Sequence, residues 1–275
     1  METLASGYGL LEGPRVSNEG SLYFSDVTKG GVYVRATDGT ITTVVPRRRG
    51  VGGIALHAEG GLVVSGKNVC HVNNGTTRVL FQDDEIPGFN DLFVDSDGNV
   101  LVGSLRSDPF QLDGRIPGEL WRLGPKGQST KLYGSVGVTN GIGFSPDGGK
   151  LYHSDSAPRH IIQHDVESEG SVGNRRVFAT LAGKLVPDGL AVDEEGCVWV
   201  AVYGGGCALR YSPEGKEDLR VEVPAKAVTS LCFGGADRRD LYIVTADNTE
   251  VPERAGTIFR TRVDVPGLMV PLARV

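Results

Sequence analysis

No stretch of this 275-residue chain approaches the roughly 18 to 20 uninterrupted apolar residues of a membrane span. The opening Met1-Glu2-Thr3-Leu4 also lacks the basic-then-apolar pattern of a signal peptide. A cytoplasmic protein with no membrane partner is expected. Room for helix is equally scarce. The longest segment free of both Gly and Pro is Ala236–Val251, and its centre, Leu241-Tyr242-Ile243-Val244, has strand character. There is no excess of positive charge: 28 basic against 34 acidic residues give −6, with both signs scattered. Arg47-Arg48-Arg49, beside Pro46 and Gly50, is the only basic run and reads as a solvated loop, so a nucleic-acid partner is excluded. Cysteine is sparse, and Cys70, Cys197, Cys207 and Cys232 show no CxxC spacing. Buried free thiols are expected rather than a disulfide or a thiolate metal site.

Glycine and turns, by contrast, are abundant: 40 Gly and 14 Pro, with no three-residue period that would suggest collagen. Six segments share a strand, a polar turn and a second strand. They are Ser17–Phe24, His57–Val64, Asp95–Val102, Ser145–Tyr152, Asp193–Val200 and Gly234–Ile243. The first five turns carry Gly20, Gly60, Gly98, Gly148 and Gly196, spaced 40, 38, 50 and 48 residues apart; the sixth has Arg238-Arg239 instead. A period of this size in an all-β chain matches the four-stranded blade of a propeller. Segments such as Val32–Arg35 with Thr40–Val44, and Glu119–Arg122 with Ser129–Leu132, supply the remaining strand pairs. The expected fold is a single six-bladed β-propeller domain, residues 1–275, with a central metal channel. The C-terminal segment Gly256–Val275 is expected to close the ring.

Eight residues before each turn glycine lies the entry of the preceding, innermost strand. The residues there are Glu12, Gly52, Asn90, Asn140 and Asp188, and the sixth repeat aligns Thr229. An Asn or Asp before Gly is ordinarily a turn residue. Independent turns, however, have no reason to share phase with the next hairpin, and equivalent positions on inner strands lie at one height on the channel wall. Glu12, Asn90, Asn140 and Asp188 therefore converge, and two buried carboxylates call for a cation. Oxygen donors alone favour a hard divalent ion, Ca²⁺ first, with Zn²⁺, Mn²⁺ or Mg²⁺ as alternatives.

The runs Glu12-Gly13-Pro14, Phe89-Asn90-Asp91, Thr139–Gly148 and Pro187–Asp193 resemble signatures of the gluconolactonase, regucalcin and luciferin-regenerating-enzyme family. Val51–Leu56 and Thr229–Gly235 match as well, in order, so the resemblance spans nearly the whole chain. It implies a six-bladed propeller with one divalent ion on its axis and lactone hydrolysis as the commonest activity. By the same resemblance Glu12, Asn140 and Asp188 are metal ligands, Asn90 is a further ligand or substrate contact, and Asp188 is the general base. Where sugar lactonases of the family usually carry Arg, two residues before the Asn of Phe89-Asn90-Asp91, this chain has Gly88. The inner-wall segment Gly103–Asp108 also lacks the acidic side chain that sugar-binding members of the family often place there. Arg106 is a candidate replacement guanidinium for substrate, and Phe110 and Tyr203 are candidate substrate contacts. The 108–117 segment lengthens its repeat and reads as a lid whose Phe110, Leu112 and Ile116 suit a less polar substrate. The expected partner is a small molecule, acting on a monomer or weak homo-oligomer. Two other functions share the same cage: organophosphate hydrolysis, similar to diisopropyl-fluorophosphatase, and a non-catalytic, metal-stabilised binding propeller.

Overall fold

A computed structural model describes residues 1–111 and 113–275, so Leu112 of the expected lid lies outside the described residues. Twenty-four strands form six antiparallel sheets of four, with no α-helix among the described residues. The inner strands are Leu11–Val16, Ile54–Leu56, Gly88–Val94, Thr139–Phe144, Val186–Val192 and Val228–Gly234. Each touches the inner strand of the next blade, and the sixth returns to the first, which makes the ring a six-bladed propeller.

Most middle strands are apolar on both faces because successive side chains point to opposite sides of a sheet and both sides are covered. On Val198–Tyr203 of the fifth blade, Val198, Val200 and Val202 pack toward the fourth blade, while Trp199 and Ala201 pack toward the sixth. The result is six separate cores, one at each blade interface. All four cysteines are buried and free, as expected.

Ring closure differs from the sequence-based expectation. The C-terminal segment contributes one strand, Gly256–Arg262, to the sixth blade, and the N-terminal strand Glu2–Tyr8 pairs outside it, with Glu2 opposite Arg260. Leu4, Ala5 and Tyr8 anchor this strand against Phe24 and Tyr33 of the first blade. The remaining C-terminal residues run as a strap across the face where the inner strands end. Main-chain bonds fix it at Gly267 to Arg238, Leu268 to Val192, Ala273 to Leu56 and Arg274 to Gly98.

The interface between the third and fourth blades carries polar groups beside its apolar core. The Tyr133 hydroxyl and Nδ1 of His153 share a hydrogen bond at 2.7 Å, and His164 stacks on the Tyr133 ring with centroids 4.1 Å apart. Among the described residues neither nitrogen of His164 has a hydrogen-bond partner, although the Gly173 backbone lies close enough to oppose part of the downward pKa shift that burial causes. Burial pushes the His164 imidazole down to about 4 and that of His153 to about 3. An imidazole held neutral in the fold but titrating near 6.5 when unfolded contributes stability that is present above pH 6.5 and lost as pH falls toward 4. His164→Phe keeps the stack and removes two unpartnered nitrogens. It should raise stability at pH 7 by about 1 kcal/mol and flatten the loss between pH 6.5 and 4, as read by urea denaturation across that range.

Candidate active site

The positions that carry Glu12, Asn90, Asn140 and Asp188 coincide with a local irregularity of the sheet. The ladder between inner and second strand slips after Glu12, after Phe89, after Thr139 and after Pro187. A bulge leaves residues unpaired and re-aims their side chains, here toward the axis. Side chains of the second strands and the loops after them hold each entry in place. Ser25 Oγ donates to the Glu12 carbonyl at 3.2 Å and to the Val51 carbonyl at 2.6 Å. Asp155 accepts from the backbone N–H groups of Gly137 and Val138, just before Asn140.

The two carboxamides meet directly. Asn90 Nδ2 donates to Asn140 Oδ1 at 2.7 Å and to the Thr139 carbonyl at 2.8 Å. Asn140 Nδ2 donates to Ser156 Oγ, which donates to the Pro187 carbonyl immediately before Asp188. Gly52 makes room for this arrangement, because a Cβ there would lie 2.1 Å from Asn90 Oδ1.

Glu12 and Asp188 are 8% and 7% exposed. Burial, and then the neighbouring Asp188 and Asp91 charges, push the Glu12 carboxyl well above the usual carboxylate range. Burial and Asp91 do the same to Asp188. Asp188 Oδ1 is buried without a hydrogen-bond partner among the described residues. Two carboxylates near one another and near two fixed amides therefore form an electronegative pocket of oxygen donors. Among the described residues no group of three or more His, Cys, Asp or Glu is placed to hold a metal, so any ion here depends on the carboxamides as well.

Three residues of the site escaped sequence reasoning. Asp91 occupies the register that holds Gly13, Gly53, Gly141, Gly189 and Ser230 in the other blades, and a carboxylate among small residues was its signal. Burial raises it to about 6 against the opposing pull of Arg15. Arg15 stands where the other blades have Ala55, Phe93, Gly143, Ala191 and Cys232. Its guanidinium donates to the Pro14 and Leu92 carbonyls and lies 3.7 Å from Asp91 Oδ1, the only ion pair that Glu12, Asp91 or Asp188 makes among the described residues. Glu119, buried on Gly118–Leu123, accepts from the Ser104 hydroxyl and pairs with Arg106 Nε at 2.7 Å.

That last contact fixes Arg106, whose Nη1 also donates to the Glu85 carbonyl at 3.2 Å. Its guanidinium is thus held at the mouth by Glu119 rather than solvated in the loop. Leu105 lies directly opposite Gly88 across the ladder, so Arg106 emerges beside the position that lacks a side chain. Phe110, on the 108–117 segment of the third blade, comes to 6.3 Å, centroid to centroid, from Tyr203 of the fifth blade. Tyr203 in turn has its hydroxyl pKa raised by burial and by Asp188. The loop therefore reaches across the end of the ring where the carboxylates lie.

The profile described as an SMP-30/gluconolactonase/LRE-like region matches residues 10–247, and the chain belongs to this family. A 6-deoxy-6-sulfogluconolactonase of Pseudomonas putida is 34% identical over 269 residues, covering 91% of this chain and 90% of the relative. A pentonolactonase of Haloferax volcanii is 30% identical over 270 residues, with 91% and 89% covered. A luciferin-regenerating enzyme of known structure superposes with a TM-score of 0.88 at 24% identity, covering 99% of this chain and 97% of the other, and supports the fold.

Arg15→Leu leaves Asp91 buried beside two further carboxylates, and should cost about 3–5 kcal/mol of stability at pH 7.5. The double substitution Arg15→Leu with Asp91→Asn should recover most of that loss. A double-mutant cycle by urea denaturation reads the coupling, and additive losses would mean that the two residues do not compensate one another.

Proposed function

We propose that the protein is a metal-dependent hydrolase that opens lactones, or related esters, to hydroxy acids, with Asp188 as the general base. The observation that carries this reading is the unpartnered, buried Asp188 Oδ1 beside Glu12 and the tethered Asn140. Kinship with enzymes named for sulfogluconolactone and pentonolactone hydrolysis supports the same reaction class.

The donor set fits a hard cation: two carboxylates that burial makes costly to ionise together, and carboxamide oxygens fixed by hydrogen bonds. Glu12, Asn140 and Asp188 would hold it, with Asn90 at its edge. When bound, a divalent ion, Ca²⁺ first and Zn²⁺, Mn²⁺ or Mg²⁺ as alternatives, supplies polarisation of the lactone carbonyl and makes ionised carboxylates affordable. The protein's own groups do the rest. Asp188 takes a proton from water as that water adds to the carbonyl carbon. The ring C–O bond then breaks, and the departing alkoxide takes a proton back. Phe110 reaches Tyr203 at the mouth, but Phe110 and Ile116 are 65% and 57% exposed, so the 108–117 segment expected as a lid does not bury these apolar side chains over the site. Arg106, held on Glu119 beside Gly88, offers its remaining N–H groups to a polar substituent of the substrate.

Asp188→Asn keeps a carboxamide oxygen in place of the carboxylate. The variant should fold and bind metal more weakly, while kcat at saturating metal falls by roughly 10²-fold or more. Near-normal kcat would move the base to Glu12 or to another group. Metal dependence is read on the same protein, by chelation followed by restoration with each of the four ions.

Gly88 generates a second expectation. A Cβ there meets nothing closer than the Gly66 carbonyl at 3.6 Å, so a side chain can be added without displacing backbone. With Gly88 where sugar lactonases of the family usually carry Arg, hydrolysis of alkyl lactones should exceed that of glucono-lactone. Gly88→Arg should shift the kcat/KM ratio toward polyhydroxylated lactones by about tenfold or more, since a site with an unpaired donor rejects substrates that lack its partner. A panel of sugar lactones, alkyl lactones, aryl esters and phosphotriesters reads both outcomes. Efficient glucono-lactone turnover by the unmodified protein would overturn the preference while leaving the reaction class intact.

A further inference from the structure

A cavity of about 410 Å³ lies at the other end of the channel, beneath the C-terminal strap. This is the size of a small-molecule site. Phe93, Phe144, Leu190 and Phe233 wall it, with Leu268 and Met269 of the strap. Its lining holds two arginines, Arg15 and Arg238, and no Asp or Glu. Arg238 is spoken for at the rim, 2.5 Å from Glu194. Arg15 is different. It is 6% exposed, its guanidinium sits 5.9 Å from the centre of the Phe93 ring, and its Nε has no hydrogen-bond partner among the described residues. The Nη atoms serve Pro14, Leu92 and Asp91, so the Nε edge is the one left over. Buried N–H groups of charged side chains are rarely left unmatched.

The cavity next to it sharpens the chemistry. About 550 Å³ in volume, it shares Phe93, Phe144, Leu268 and Met269, yet is lined by Asp95, Asp97, Asp147, Glu167 and Glu169 against the single Arg122. Such a surface repels anions, whereas among the described residues the axial cavity has no carboxylate in its lining, and its one arginine with an unmatched N–H is Arg15. Its cover is also suited to yield. Between the bonds at Leu268 and Ala273 the strap makes no main-chain hydrogen bond among the described residues, and Met269 is 65% exposed.

We propose that the axial cavity beneath the strap binds an apolar monoanion, an aryl or alkyl carboxylate or sulfonate. Its acid group meets Arg15 Nε and its hydrocarbon lies among Phe93, Phe144 and Phe233. The cavity shares Arg15 with the carboxylate pocket but lies on its other side, and the proposal does not depend on the hydrolase reading.

The test uses the intact protein with 1-anilinonaphthalene-8-sulfonate and its uncharged counterpart N-phenyl-1-naphthylamine, followed by fluorescence at fixed ionic strength. One sulfonate should bind per chain, and the neutral compound at least tenfold more weakly. Ala191→Phe, which fills the cavity, should abolish binding. The Arg15→Leu, Asp91→Asn double variant should lose the preference for the anion. A crystal soaked with 4-(4-bromophenyl)butyrate fixes the location whether or not either variant folds: the bromine should lie beneath Leu268 and Met269. Equal affinity for the two probes, absence of binding, unchanged binding in folded Ala191→Phe, or bromine found only outside the cavity would each overturn the proposal.

Discussion

Three carboxylates, Glu12, Asp91 and Asp188, are buried on the inner wall of the ring, and among the described residues one guanidinium, Arg15, forms an ion pair with one of them, Asp91. Like charges in a low-dielectric interior resist ionising together: burial raises all three, and neighbouring carboxylate charge adds to the rise at Glu12 and Asp188. The surrounding structure bears this cost because it cannot relax. Each inner strand is covered on both sides by its neighbours, and each of the six interfaces has its own close-packed core. A less constrained scaffold would let the carboxylates turn outward to water.

A ring of equivalent blades produces a site without symmetry by varying one register. The slipped ladder recurs after Glu12, Phe89, Thr139 and Pro187, so the backbone presents much the same geometry in four blades. What changes is the side chain delivered there. Two blades give carboxylates, two give carboxamides, and Gly52 withdraws so that Asn90 can fill its place. The mouth varies in the same way, with Gly88 leaving a space beside which Arg106 is held by Glu119.

The fold and the converging register were legible because both are periodic: turn glycines mark the repeats, and a fixed offset from them marks the axis. What escaped has no period. Closure by Glu2–Tyr8 joins the two ends of the chain, and nothing in that segment's composition names its partner Gly256–Arg262. Arg15 and Asp91 were visible only as exceptions within registers of small or apolar residues, a signal that comparison of cage positions alone does not reach. Glu119 lies on a third strand, outside the wall registers altogether, and acts on the mouth through Ser104 and Arg106. Arg106 was identified as a candidate, but its constraint was not, because an ion pair across two strands leaves no local pattern.

Arg15 gives the channel its polarity. On one side its Nη2 faces Asp91 and offsets part of the carboxylate charge, while its guanidinium is pinned by the Pro14 and Leu92 carbonyls so that it cannot follow either end. Beyond it the side chains turn apolar at Phe93, Phe144, Leu190 and Phe233, and the strap closes the far mouth. A channel open through its length would admit water to the carboxylates from both ends and weaken every interaction there, since charge effects fade as the local dielectric rises. The arginine, the aromatic layer and the strap therefore leave the carboxylates approachable from one side only, the side that Phe110 and Tyr203 overhang. A ring of near-equivalent blades is thus closed at one end by elements that do not repeat: one arginine in a register of small and apolar residues, and a C-terminal strap.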